Sequence, residues 1–484
     1  MVQNFEKIKI VDELASLAAR HKLVPFLGAG CSKPHLRYDW PSLTIEMAGS
    51  LKIDPSLGPL AVAQEFVDRE GKTALCEYLK PKLSIDKFED SLGSAHLAML
   101  SLGIGLIYTT NQDNVFEQCV TKYNRQWQTI IQLEDLASYT PGEPLYIKYH
   151  GDLSYPDTVI FSDKDYETRV ADTNNFLNIR LKSDLLAKNL LFVGYSFGDD
   201  TIKNIFSELI GAFGEKLPDS YLISYKSSDE LKAVCEEFAV RLVDPYQELQ
   251  RVYDYPEAFE RFLTSLVNTT YEKKCADSLR EFSTPRHLTI PIVTKYEIRA
   301  LENQLQLLTL DKSVQLLKDS LSFVEIPLDF QELVGDFIES LCEQCSTRDE
   351  SDKLCNLLEG LRLNEVQSLR VTSAVFATAN FRGEQIRKFD DFFPRVHDGK
   401  YDRFSMIVVA EAIKMIKAWG RQINPSFRHY AENFITEGIP LNHYPEQLQR
   451  DIKDTFNEVW CSATITLERQ RQLHLCIFRR VVVC

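Results

Sequence analysis

Four short motifs of small and polar residues each follow an apolar stretch of this chain. They are Gly28-Ala29-Gly30-Cys31-Ser32, Thr109-Thr110-Asn111-Gln112-Asp113, His150-Gly151-Asp152 and Gly194-Tyr195-Ser196-Phe197-Gly198-Asp199. The apolar stretches have the length of buried strands, and an open parallel sheet binds its ligand outside the carboxyl ends of its strands. We therefore expect the four motifs to meet at one edge of a sheet and to form a site there.

The first motif has the composition of a phosphate-binding turn. Gly28 and Gly30 lack a Cβ, so the backbone can turn tightly and approach an anion closely. A helix that begins after them would direct its free N–H groups and the positive end of its dipole at the bound group. A glycine pair after a strand is also found in ordinary tight turns, and on this motif alone that alternative stays open.

The second and third motifs supply an amide, a carboxylate and an imidazole. Asn111 can orient a water or a sugar hydroxyl without titrating. His150 can accept a proton at neutral pH, since the ordinary pKa of histidine is about 6.5. Asp113 can stabilise positive charge that develops in a reaction. The alternative is structural in each case, because Asn and Asp are preferred at helix starts and a histidine at a strand end is often simply packed.

The elements that must position these motifs follow from the hydrophobic pattern. Short apolar runs alternate with helical stretches, which is typical of an α/β protein with a mostly parallel sheet covered on both faces. A helix over residues 5–21 precedes the first strand, and a helical insertion over residues 39–88 follows it. The predicted strands are Leu23–Leu27, Leu106–Thr109, Leu145–Tyr149, Thr158–Phe161, Asn189–Val193, Tyr221–Ser224 and Ala239–Val243.

A second, mainly α-helical domain is predicted after this region. The pattern changes around Ser265–Pro291, and the predicted helices beyond it include Tyr296–Leu321, Pro327–Cys345, Glu350–Leu361 and Arg403–Trp419. A chain of 484 residues is long enough for two or three domains. We therefore predict a sheet domain over residues 1–270 and a helical domain over residues 285–484.

The composition narrows the classes of function. A net charge of −15 argues against a surface that binds nucleic acid directly. No apolar run approaches the ~20 residues of a membrane span, and no secretory signal is expected at the N-terminus. Apart from Cys342 and Cys345, the 11 cysteines are scattered without paired spacing, which is typical of reduced thiols. We predict a cytoplasmic protein.

Three further candidates are interpreted as structural. Cys31 stands where a helix N-terminus can lower the pKa of a thiol, but we expect only a small loop residue there. The segment with Asp163, Asp165 and Tyr166, Ser-Asp-Lys-Asp-Tyr-Glu, fits a solvated turn. The pair Cys342-x-x-Cys345 invites a zinc interpretation, but a closed zinc site needs four ligands at suitable spacing, so no metal is predicted.

Together the four motifs resemble the sirtuin (SIR2) family, and more closely its bacterial SIR2-like branch found in antiviral defence proteins, over roughly residues 20–260. The resemblance implies a Rossmann-like sheet that binds NAD where these loops gather. It implies cofactor-binding positions at Gly28, Ala29, Gly30, Ser32, Thr109, Thr110, Gly194, Tyr195 and Ser196. It implies catalytic positions at Asn111, Asp113 and His150, with His150 as the base. Thr110 stands where the family pattern has a glutamine.

One departure from the family decides which reaction we expect. Protein deacylases of the family carry a four-cysteine zinc module after the catalytic histidine, and this chain has no cysteine between His150 and Gly194. The resemblance therefore does not extend to the channel for an acyl-lysine, and water becomes the natural acceptor of the ribosyl group. The resemblance then implies an NAD glycohydrolase, with NAD as the substrate, in abortive antiviral defence.

The resemblance also implies that the activity is regulated, and two other functions stay open. An unrestrained NAD glycohydrolase would kill its own cell, so we expect gating through the helical domain, by oligomerisation and by a separate sensor protein. No second nucleotide-binding motif follows residue 260. One alternative is a sensor that binds NAD or ADP-ribose without catalysis. The other is a protein deacylase or ADP-ribosyltransferase, which would modify protein instead of releasing free ADP-ribose.

Overall fold

The computed structural model describes residues 8–172, 174–274, 290–305, 309–321, 324–327, 330 and 446–455. The chain divides into two compact units, Met1–Gln304 and Leu305–Cys484. Every residue predicted for the site lies in the first unit. The predicted domains over residues 1–270 and 285–484 stay a prediction, and most of the second, including Cys342 and Cys345, lies outside the described residues.

The first unit is built on one parallel sheet, which confirms the predicted α/β class. Its strands stand in the order β3-β4-β2-β1-β5-β6-β7, and each neighbouring pair is parallel. They are β1 Leu23–Leu27, β2 Leu106–Thr109, β3 Gln128–Ile130, β4 Leu145–Lys148, β5 Asn189–Val193, β6 Ser220–Ile223 and β7 Val240–Val243. Strands β1, β2 and β5 have the predicted bounds, whereas β3 was not predicted.

Helices cover both faces of the sheet, so its central strands are buried throughout. In the first unit they are α1 Lys9–Ala19, α2 Ala29–Ser32, α3 Trp40–Leu51, α4 Pro59–Glu70, α5 Lys72–Leu83, α6 Ser94–Ser101, α7 Val115–Lys122, α8 Leu133–Ser138, α9 Asp163–Ala171, α10 Phe176–Ala187, α11 Asp200–Phe213, α12 Asp229–Glu237, α13 Pro245–Glu248, α14 Tyr255–Lys274 and α15 Lys295–Leu305. The second unit contributes α16 Leu310–Leu321 and α17 Glu446–Thr455. In the part of the chain described, no helix combines the length and apolarity of a membrane span.

The strand predicted over Thr158–Phe161 is wrong. Pro156 begins a short 3₁₀ turn there, and the backbone N–H groups of Phe161 and Ser162 donate to the Asp165 carboxylate instead of to a neighbouring strand. Val159 and Phe161 are buried as expected, but they pack against the helices α3 to α5. The apolar residues of this stretch are therefore buried against the helical insertion and not in the sheet. Helices α3 to α5 confirm the helical insertion predicted over residues 39–88.

Candidate active site

The four motifs leave four neighbouring strands of the sheet at the same edge. In the register, Thr109 of β2 lies beside Leu27 of β1 and Lys148 of β4, and Leu27 also lies beside Val193 of β5. Thr109 and Lys148 are thus paired across β2 and β4. Asn111 lies two residues after Thr109, and His150 lies two residues after Lys148. The sequence predicts this arrangement, because each motif directly follows a strand of a parallel sheet.

Asn111 is held by a chain of hydrogen bonds between the loops after β1 and β2. Its Nδ2 donates to Ser32 Oγ at 3.2 Å, and its backbone N–H donates to Thr109 Oγ1 at 3.0 Å. Thr109 Oγ1 in turn donates to the carbonyl of Leu27 at 2.8 Å. Ser32 Oγ also lies 3.4 Å from Nε2 of His96, which is buried beneath it in α6. The amide of Asn111 is thus oriented before any ligand arrives.

Asp113 lies two residues before the start of α7. Its Oδ1 accepts from the backbone N–H of Val115 at 3.0 Å. Asp113 therefore performs the structural role that is the alternative to catalysis, which is to stabilise the start of a helix. Burial raises the pKa of the Asp113 carboxyl, although hydrogen bonds from Val115, Ser32 and Asn111 act in the opposite direction. A direct catalytic role for Asp113 stays a prediction.

A buried lysine joins the loops that carry Asn111 and His150. Lys148, at the end of β4, has no exposed side chain surface, and its Nζ donates to the carbonyl of Asp113 at 2.8 Å. It also reaches Glu117 Oε1 at 2.9 Å and Asp152 Oδ2 at 2.6 Å. Burial works against the charge, but the two carboxylates outweigh it and raise the pKa of Lys148. All three ammonium hydrogens therefore have acceptors.

His150 reaches across the sheet edge toward the loop after β5. Its Nε2 lies 3.1 Å from Asp199 Oδ2, an ion-pair distance without the alignment of a hydrogen bond. Its Nδ1 lies 3.5 Å from the hydroxyl of Tyr166. Burial lowers the pKa of His150; the Asp199 carboxylate opposes this shift and the Arg169 guanidinium reinforces it. The histidine is therefore neutral and able to accept a proton at neutral pH.

Unpartnered polar atoms gather on this side of the site. The Tyr195 hydroxyl and Thr201 Oγ1 are buried and make no hydrogen bond, as is the case for Nε2 of His150. Tyr195 follows β5, and Thr201 lies in the first turn of α11. Since buried polar groups are almost always paired in folded proteins, such a group of orphans indicates a place that a polar ligand or water completes.

The glycines of the first motif allow two loops to touch. A Cβ on Gly28 would lie 2.5 Å from the carbonyl oxygen of Gly194, and one on Gly30 would lie 2.8 Å from it. The backbone N–H groups of Gly28 and Gly30 donate to the carbonyls of Val193 and Gly194, both at 2.9 Å. Helix α2 has only four residues. The close approach is thus to the β5 loop, and phosphate binding by this turn stays a prediction.

The remaining predicted residues differ in how a ligand can reach them. Ala29 and Ser196 are exposed, and Thr110 is half-buried. Ser32 is fully buried and serves Asn111, so cofactor contact by Ser32 also stays a prediction. Cys31 is a small packed residue as expected, but it lies in α2 and not in a loop: its Sγ donates to the carbonyl of Val193, and burial raises the pKa of the thiol to about 12.

Four residues of the site were assigned no role from the sequence. Asp199 is the last residue of the fourth motif and was given no function. Tyr166 was expected in a solvated turn, whereas it lies in α9 against His150. Lys148 and His96 were overlooked. Their signal is a polar residue inside an apolar run, Leu-Tyr-Ile-Lys and Ala-His-Leu-Ala-Met. Over the described ranges no cluster of three or more His, Cys, Asp or Glu side chains is placed to hold a metal.

Comparison with known proteins agrees with this geometry. Residues 105–243 match the SIR2-like domain, which covers β2 to β7 and the motifs with Asn111, His150 and Gly194. The chain is similar to the NAD(+) hydrolase ThsA of Cytobacillus dafuensis, with 26% identity over 297 residues, 60% of this chain and 54% of that protein. It is also similar to the ThsA of Enterococcus faecium, with 27% identity over 218 residues, 44% of this chain and 45% of that protein.

A third relative is defense-associated sirtuin 2 of Bacillus subtilis, with 24% identity over 280 residues, 55% of this chain and 27% of that protein. The chain thus spans about half of the length of the two ThsA proteins. Residues 105–243 therefore form a SIR2-like domain on a Rossmann-like parallel sheet, as the motifs predicted.

Proposed function

We propose that this chain, whose residues 105–243 form a SIR2-like domain, hydrolyses NAD to ADP-ribose and nicotinamide. The observation that carries the proposal is the convergence of Asn111 and His150 at paired strand ends, beside a group of unpartnered buried polar atoms. An oriented amide, a neutral imidazole and open hydrogen-bonding positions are what an attack of water on a sugar carbon requires.

The reaction breaks the bond between the ribose C1′ and the nicotinamide nitrogen. The leaving nitrogen keeps the bonding electrons, so the positively charged pyridinium departs as neutral nicotinamide and C1′ becomes oxocarbenium-like. Water adds to C1′ and releases one proton. The balance is NAD plus water giving ADP-ribose, nicotinamide and a proton.

The residues divide this work according to their contacts. Asn111 is fixed through its Nδ2 by Ser32, so its amide oxygen is the group that accepts from the attacking water or a ribose hydroxyl. His150, neutral because burial lowers its pKa, takes the proton. The turn with Ala29 and Gly30, which are exposed, lies centrally between these strands and β5, where the pyrophosphate would pass.

Two further observations favour water as the acceptor. The chain has no cysteine between His150 and Gly194, where deacylases carry the zinc module of the acyl-lysine channel, and the ThsA relatives are named NAD(+) hydrolases. The defence role follows the name of the third relative, a defense-associated sirtuin. We extend the proposal to a cytoplasmic effector of abortive antiphage defence that oligomerises and is activated by a separate sensor protein.

Mass spectrometry of NAD incubated with the purified chain tests the proposal. The chain is assayed alone and with the products of neighbouring genes, and we expect nicotinamide and ADP-ribose in equal amounts. Binding without product in every mixture would favour the sensor alternative. Modified protein in place of free ADP-ribose would favour a deacylase or ADP-ribosyltransferase. Full activity of the chain alone would contradict the gating by a partner.

A further inference from the structure

We propose that Asp199 is a positioning residue for His150: its carboxylate fixes the tautomer and orientation of the imidazole, so that the proton is accepted at Nδ1. This inference rests on the proposed function, because it names the residue through which His150 acts as a base. Asp199 lies 49 residues after His150 in the chain and enters the site from a different strand.

The two oxygens of Asp199 perform separate tasks. Oδ1 accepts from the backbone N–H groups of Thr201 at 2.9 Å and Ile202 at 3.3 Å, and so caps the 14-residue helix α11. Oδ2 lies 3.1 Å from Nε2 of His150. Because the cap fixes one oxygen, the other cannot turn away from the imidazole without breaking the helix start. The carboxylate therefore has a fixed position beside the imidazole ring.

The charged and titratable groups around His150 come from three elements. Asp199 precedes α11, Tyr166 and Arg169 belong to α9, and Tyr149 precedes His150 at the end of β4. Arg169 donates to the Tyr149 carbonyl at 2.6 Å and lies over the Tyr149 ring. The Asp199 carboxylate is the negative charge in contact with the ring, and it stabilises the imidazolium that forms when His150 accepts a proton.

The carboxylate also decides which nitrogen is basic. An ionised carboxylate only accepts hydrogen bonds, so the negative charge 3.1 Å from Nε2 disfavours a lone pair there and favours the tautomer with the hydrogen on Nε2, although the pair is not aligned as a hydrogen bond in the free protein. Nδ1 then holds the lone pair. Its present neighbour is the Tyr166 hydroxyl at 3.5 Å, a contact long enough to yield to a substrate or water hydroxyl.

The substitution Asp199→Asn separates charge from capping. The amide oxygen of asparagine still caps α11, but an N–H group then faces Nε2 and favours the opposite tautomer. Asp244 provides a matched control, because it caps α13 through Tyr246 and Gln247 while its second oxygen accepts from Ser227. Asp244→Asn makes the same chemical change at the end of β7, away from His150.

The experiment is an NMR titration of the full chain with isotope-labelled histidine, in which a His150→Gln spectrum assigns the His150 signals. We expect an Nε2–H tautomer in the wild type and after Asp244→Asn. In Asp199→Asn we expect the Nδ1–H tautomer and a His150 titration at lower pH, since the charge that opposed the burial shift is gone. An unchanged tautomer and titration in Asp199→Asn would overturn the inference, whatever the enzyme does.

Kinetics distinguish this failure from failure of the proposed function. We expect kcat for NAD hydrolysis to fall about 10- to 100-fold in Asp199→Asn, with KM little changed and the acidic limb of the pH profile moved to lower pH. A purely structural cap would leave that limb in place, which would count against the inference alone. Wild-type turnover in His150→Ala would contradict the proposed function itself.

Discussion

The side chains on the Asn111 side and on the His150 side of the site differ in how they are held by hydrogen bonds. On the Asn111 side, hydrogen bonds from Asn111, Thr109 and Lys148 connect the loops after β1, β2 and β4, although Nδ1 of His96 and Oε2 of Glu117 are buried there without a partner. On the His150 side, the nearest contacts are long or unaligned, and the Tyr195 hydroxyl has no partner. We infer that the first side is preorganised, whereas the second is completed by the substrate.

This difference matters for catalysis because preorganised dipoles cost no rearrangement during the reaction. A side with open hydrogen-bonding positions can instead make its contacts late, when the substrate is bound and the charge at C1′ develops. The comparison therefore predicts that substitutions on the Asn111 side change both stability and turnover. Substitutions on the His150 side should change turnover or substrate affinity more than stability.

The largest effects are expected from the two central residues. Asn111→Ala and His150→Ala should each lower NAD turnover by about a thousandfold or more, because the oriented amide and the base are lost. Quantified nicotinamide release, with circular dichroism and thermal melting to verify folding, measures this. Asn189→Ala is a matched control, since Asn189 also makes a hydrogen bond through Nδ2, in its case to the carbonyl of Asp219, but lies at the amino end of β5. Wild-type turnover in either site variant would contradict the assignment.

The next effect concerns the buried lysine of the preorganised side. Lys148→Met leaves Glu117, Asp152 and the Asp113 carbonyl without their shared donor, so unfolding should become easier by about 3 kcal/mol, with a parallel loss of kcat. Chemical denaturation monitored by fluorescence measures the first effect. The control is Lys182→Met, which breaks the more exposed pair with Glu208 and should cost less than about 1 kcal/mol. Equal costs for both variants would refute a special role for Lys148.

The positions of the site residues could be predicted because they depend on topology. Once Leu106–Thr109 and Leu145–Lys148 are parallel neighbours, Asn111 and His150 must emerge at the same edge, whatever the surrounding side chains do. The short strand β3 escaped prediction because three residues carry too little pattern, and its residues Gln128 and Thr129 are polar and only half-buried.

The partners of these residues could not be predicted, because they come from distant parts of the chain. Asp199 meets His150 only after β4 and β5 have been placed in the sheet, and Tyr166 joins them from a helix that the sequence suggested was a turn. The hydrogen bond that Ser32 accepts from Asn111 likewise joins two distant segments, while contact of Ser32 with the cofactor stays a prediction.

A pH effect follows from the tight packing beneath Asn111. Burial lowers the pKa of His96 to about 3 from an ordinary value of 6.5. Between these values the unfolded chain binds a proton that the folded chain excludes, so His96 should lower the free energy of unfolding by about 1.4 kcal/mol for each pH unit below 6.5. Acid unfolding followed from pH 7 to pH 3 measures this slope. His96→Gln should flatten it, and an unchanged slope would show that His96 is protonated in the folded protein.

The smallest expected effect is the sharpest test of the comparison, because it distinguishes an unpartnered hydroxyl from a paired one. Tyr195→Phe removes a buried hydroxyl that makes no hydrogen bond, so stability should stay equal or rise slightly. Tyr108→Phe removes a hydroxyl that donates to Asp184 at 2.7 Å in the core and should destabilise the protein by about 1–2 kcal/mol. Melting curves of the two variants give this difference directly. If the Tyr195 hydroxyl is completed by substrate, Tyr195→Phe should also raise KM for NAD a few-fold. Destabilisation equal to that of Tyr108→Phe would mean that the free protein already satisfies this hydroxyl, and the two sides of the site would then be equally preorganised.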